Sequence, residues 1–118
     1  MFYYDAGWAR FDDSLDWLAQ RVAPTDLVVN SSPHWTYLKT GVKSIMIPME
    51  RNADEAQRLI EDAGARYLIV DSSSGPGAYI SAFAAAAVEK HPYRWRMVHE
   101  NAGAKIYERA DPTTKETP

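Results

Sequence analysis

No cysteine occurs anywhere in the 118 residues, which rules out a disulfide framework and any thiolate-ligated metal site. Its absence leaves the compartment open, because many periplasmic and extracellular domains also lack cysteine. Positive charge is in short supply as well. Thirteen Lys and Arg stand against 16 Asp and Glu, a formal net charge of −3, whereas a phosphate-backbone partner requires a concentrated cationic face. No nucleic acid is therefore expected among the partners. No apolar run approaches the roughly 20 residues that cross a bilayer. The opening residues also lack the charged, apolar and small-residue regions of a signal peptide.

Catalytic motifs are missing too. There is no Gly-x-Ser-x-Gly elbow to hold a nucleophile on a strained turn. The one glycine-rich loop that follows an apolar run, Ser72 to Gly77, lacks both the Lys-Ser/Thr ending of a phosphate-binding loop and the spacing of a dinucleotide fingerprint. His34, His91 and His99 are the only histidines, and no pair has the i, i+4 spacing of a helical zinc motif. Asp12, Asp13 and Asp16 could gather a cation, but acids so placed more often complement a helix N-terminus. The expectation is no cofactor, no metal and no catalytic residue within the chain.

What is present belongs to one globular core. Hydrophobic residues make up 46% and charged residues 25%, an ordinary folded balance. Leu15, Leu18, Ala19 and Val22 fall at i, i+3, i+4 and i+7, which predicts a helix over Asp12 to Ala23, capped by Asp12 or Asp13 and stopped by Pro24. Leu27-Val28-Val29-Asn30 reads as a strand covered on both faces. Ser31-Ser32-Pro33 then opens a helix with a serine cap, running to about Lys39 and ending at Gly41. Ser44 to Ile47 forms a second strand closed by Pro48. Asn52 and Glu55 have the spacing of a capping box, ahead of a buried stripe of Ala56, Leu59, Ile60 and Ala63, with Gly64 ending the helix.

Tyr67 to Asp71 is the most apolar strand. A surface loop leads from it to a helix over Ala78 to Lys90. From Tyr93 the period changes to two, with Tyr93 and Trp95 expected on one face and Arg94 and Arg96 in water. Asn101-Ala102-Gly103 then turns a hairpin into Lys105 to Arg109. Alternating strands and helices predict an α/β fold in three layers: a small, mostly parallel sheet with helices on both faces and a C-terminal antiparallel hairpin. Residues 1–110 form the single domain, and 111–118 a polar tail expected to be disordered.

Open parallel sheets bind ligands beyond the carboxyl ends of their strands, where strand order reverses. That places Asn30, Ser31, His34, Trp35, Asp71 and Ser72 as candidate ligand-binding residues, although capping and turn formation are the commoner roles of such side chains.

The run Tyr37-Leu38-Lys39-Thr40-Gly41, after the Leu15 to Leu18 helix and Leu27-Val28-Val29, resembles the soluble C-terminal region of polytopic membrane glycosyltransferases related to the dolichyl-phosphate-mannose protein mannosyltransferases. Ile45 to Pro48, Arg66 to Asp71 and Lys105 to Arg109 extend the likeness over most of the chain. Val42 departs from it, since many relatives carry Arg there. The resemblance implies a noncatalytic accessory domain on the extracytoplasmic face of the membrane, soluble when excised. Its partners would be the transmembrane part of the same polypeptide and a glycan or lipid-linked sugar. The domain would position the acceptor or shape the active-site entrance. In such enzymes the catalytic acid lies on a loop between membrane helices, and nothing in this chain matches it. Phe2, Tyr3 and Tyr4 directly after Met1 fit a chain leaving a membrane helix through the interface, and suggest a domain cut from a longer protein. The alternative is a free-standing flavodoxin-like module that binds a phosphate or carboxylate at the same strand ends.

Overall fold

The computed structural model describes residues 6–72 and 76–110. The elements are α1 (Ala6–Ala19), β1 (Leu27–Asn30), α2 (Pro33–Thr40), β2 (Lys43–Met46), α3 (Ala53–Asp62), β3 (Tyr67–Asp71), α4 (Pro76–Lys90), β4 (Trp95–Glu100) and β5 (Ala104–Arg109). A 3-10 turn over Pro92–Arg94 leads into β4. The five strands form one sheet in the order β2-β1-β3-β5-β4. Strands β2, β1 and β3 are parallel, while β5 lies antiparallel to both β3 and β4.

Period-two alternation divides the core in two. Val28, Tyr67, Ile69, Ala104 and Ile106 face Phe11, Leu15 and Leu18 of α1. Val29, Leu68 and Val70 point the other way, toward Ile60 of α3 and Ala84 of α4. All five residues of β3 are buried, as a strand covered on both faces must be. The expected three-layer α/β architecture is therefore present, with α1 and α2 on one face and α3 and α4 on the other. Val42, the departure noted above, is buried against α1, a place where an arginine would have to lie uncompensated among apolar side chains.

Several local expectations need correction. Helix α1 begins at Ala6 rather than Asp12 and ends at Ala19, before Pro24 is reached. Asp12 and Asp13 are thus interior residues and cap nothing. Asp12 and Asp16 instead take the Lys39 ammonium at 3.1 and 2.7 Å, and Asp12 also accepts from the Trp35 indole at 2.7 Å, which clamps α1 to α2. The hydrogen bond from Lys39 to Asp16 holds the ammonium above its usual pKa, against an opposing effect of burial.

At α2, Ser32 occupies the cap position but its hydroxyl makes no capping bond. The Asn30 side chain, two residues back, forms the turn instead. At α3, Asn52 accepts from the Glu55 N–H at 3.0 Å, but the Asn52 N–H donates to Glu50, because the Glu55 carboxylate is drawn to Arg58. The buried stripe of α3 is Ala56, Gln57 and Ile60. Leu59 is 37% exposed and Ala63 is exposed, because α3 is rotated to bring Gln57 beneath Trp95. Tyr93 lies in the 3-10 turn, 71% exposed, and only Trp95 enters the core. The loop read as a surface loop lies largely outside the described residues.

Gly41 and Gly64 have φ of 76° and 82°, left-handed values at which a β-carbon is strained even where space is free. Both follow helix ends, as their positions in the sequence predict. The sheet edges are irregular. β2 has four residues, with Lys43 at one end and Pro48 just beyond the other. β4 is interrupted by a register shift between Met97 and His99.

Candidate functional site

Strand order runs outward from β1 to β2 and then returns past β1 to β3. The carboxyl ends of β1 and β3 are neighbours at that reversal, so Asn30-Ser31 and Asp71-Ser72 come together at one end of the sheet. Asn30 is fully buried. Its Oδ1 accepts from the Ser32 N–H at 2.8 Å and the Thr36 hydroxyl at 2.9 Å, and its Nδ2 donates to Ser44 Oγ at 3.2 Å. Ser31 is buried beside it, and its hydroxyl has no hydrogen-bond partner among the described residues. Asp71 is buried, with its N–H donated to Ser81 Oγ at 2.8 Å. Ser72 is exposed, and its N–H is donated to the Gly103 carbonyl at 2.8 Å.

His34 and Trp35 part company, as consecutive residues on a helix do. Trp35 turns inward to Asp12 of α1, with Lys39 5.9 Å from its ring. His34 is exposed and lines a cleft of about 470 Å³ with Pro33, Tyr37, Lys43 and Ser44. Tyr37, Lys43 and Ser44 were not singled out as site residues in the sequence. The (i, i+3) spacing of His34 and Tyr37 puts them on one helix face, but only the fold brings β2 alongside.

A second cleft, of about 420 Å³, opens where α1 meets the uncovered part of the β3-β5-β4 surface, lined by Trp17, Arg21, Tyr67, Val98 and Glu108. The Arg21 guanidinium lies 4.0 Å from the Trp17 ring centroid, and His99 stacks on Trp17 at 4.6 Å. Arg21 also donates to the Trp17 carbonyl at 3.3 Å. Glu108, whose side chain is 12% exposed, takes both Arg66 and Arg96. The only sequence signal for this arrangement is the (i, i+4) pair Trp17 and Arg21. The Arg96 and Glu108 contribution depends on hairpin register.

Burial pushes the His99 imidazole below its ordinary pKa of 6.5, and the Arg21 charge adds to the effect. The unfolded chain therefore takes up this proton first. The stabilisation is complete above about pH 6.5 and is lost as the pH falls through the lower folded value. Thermal midpoints should drop as the pH is lowered below 6.5, and His99→Phe, which keeps a ring on Trp17, should flatten that slope. An identical slope in the variant would assign the pH dependence to other groups.

Among the described residues, no group of three or more His, Asp or Glu is placed to hold a metal ion, and no helix is long and apolar enough to cross a membrane. No protein-family model matches the chain, and no curated protein matches it. Among solved structures, the C-terminal globular domain of an oligosaccharyltransferase from Archaeoglobus fulgidus is similar, with a TM-score of 0.59 over 92% of this chain and 100% of that one, at 11% identity. At that identity the likeness is one of fold: this chain has a fold resembling that of the C-terminal globular domain of an oligosaccharyltransferase.

Proposed function

We propose that the chain is a noncatalytic accessory domain of a membrane glycosyltransferase that uses a lipid-linked sugar donor. It lies on the extracytoplasmic face, beside the transmembrane part of the same polypeptide. There it positions the acceptor or shapes the entrance to the active site. The observation that carries this reading is the fold likeness, which extends over the whole of the oligosaccharyltransferase domain and nearly all of this chain. The contact surface is the end of the sheet where β1 and β3 finish: His34 and Ser72 are exposed there, Ser31 and Asp71 lie buried just beneath with Asn30 shaping the turn, and Trp35 braces α2 from behind through Asp12 of α1.

The test is an immunoblot of membrane and soluble fractions from the source cells, with antibody raised against this domain. A membrane band several times larger than 13.3 kDa is expected. A soluble band near 13.3 kDa would overturn the reading.

A further inference from the structure

We infer that the cleft between α1 and the β4–β5 hairpin binds a small hydroxylated organic anion, with the Arg21 guanidinium taking its carboxylate or phosphate. Three arginines, Arg21, Arg66 and Arg96, gather in this part of a chain whose net charge is −3. Two of them are already committed to Glu108. Arg21 has no carboxylate partner among the described residues, yet it is held in place by the Trp17 ring at 4.0 Å and the Trp17 carbonyl at 3.3 Å. A guanidinium held over an aromatic ring with one N–H on a carbonyl keeps its other donors free, in a fork that suits two oxygens of one oxyanion.

The rest of the cleft is equally preorganised. The Trp17 ring is packed by the His99 imidazole, stacked on it at 4.6 Å. Tyr67 belongs to the central strand and is 7% exposed, with its ring packed in the core. Glu108 is immobilised by two guanidinium groups, which offset its charge and leave it lone pairs for a ligand hydroxyl. Val98 supplies an apolar wall. Anion at Arg21, hydroxyls toward Tyr67 and Glu108, and a small carbon skeleton against Val98 together describe the ligand. The cleft lies beside α1 over the β3-β5-β4 part of the sheet, apart from the carboxyl ends of β1 and β3, so this inference stands independently of the proposed membrane role.

Titration of the 118-residue chain with sodium gluconate and with glycerol 3-phosphate tests it, reading the Trp17 indole N–H resonance, assigned with Trp17→Phe. Saturation at about millimolar concentration by at least one of them is expected, with binding weakened about tenfold or more in Arg21→Gln. Arg21 is exposed, so the variant folds. Which of the two probes saturates tells carboxylate from phosphate. No saturation by either, or equal binding by wild type and Arg21→Gln, would overturn the site. Glycerol binding as tightly as glycerol 3-phosphate would overturn the role of the anion, and inorganic phosphate binding as tightly would overturn the role of the hydroxyls.

Discussion

Asn30→Ala is expected to lower the unfolding free energy by about 2–4 kcal/mol, read as an earlier midpoint in chemical denaturation. The side chain makes three hydrogen bonds in a fully buried position. Its removal leaves the Ser32 N–H and the buried Thr36 hydroxyl without their acceptor, at about 1–3 kcal/mol for each unsatisfied group. Thr36 is itself fully buried, so bulk solvent does not reach its hydroxyl. A residue serving only as a ligand contact would behave in the opposite way, leaving stability unchanged. An unaltered midpoint would therefore undo the scaffold role assigned to Asn30 and return it to the surface of the site.

Trp95→Ala should cost more, about 3–5 kcal/mol, since it empties the centre of the α3–α4 side of the sheet. The informative comparison is with Trp95→Phe. The Trp95 indole donates to Gln57 Oε1 at 2.8 Å, Gln57 Nε2 donates to Glu61 at 2.6 Å, and Glu61 takes Arg94 at 3.0 Å. Phenylalanine keeps most of the volume and breaks only the first link, so a loss of about 1–3 kcal/mol is expected from the stranded Gln57 oxygen. The double variant Trp95→Phe with Gln57→Met removes both polar partners and should recover part of that loss. If the double variant were no more stable than Trp95→Phe, the cost would lie in packing and not in the buried hydrogen bond.

The fold was legible where side-chain period and backbone chemistry agreed. Strands β1 and β3 coincide with their apolar runs, and Gly41 and Gly64 close helices with left-handed φ. Legibility failed where a polar residue had a tertiary partner. Asp12 looks like a cap until Trp35 and Lys39 arrive from α2, and Gln57 looks like a surface residue until Trp95 folds over it. Tyr93 and Trp95 share a strand period, but Pro92 diverts the chain into a 3-10 turn that places Tyr93 outside the sheet.

The strand ends named as a candidate site could be placed at one end of the sheet in advance, because alternating helices and strands make the strands parallel; which ends are neighbours depends on the strand order. Both clefts escaped notice because each is closed across two or more elements whose packing the side-chain pattern does not give. His34 meets Lys43 only across the α2–β2 contact, and Trp17 meets Glu108 only once the hairpin register is set.

Among the described residues β2 and β4 form the unpaired margins of the sheet, with a consequence for crowding. A neighbouring chain seeking to extend the sheet at β2 finds four residues, a lysine at one end and a proline just past the other. At β4 it meets a register break between Met97 and His99 that spoils an even ladder. Neither margin offers a long flat template for strand addition. Many copies can therefore be held at high local density and stay separate rather than fusing edge to edge into a fibre.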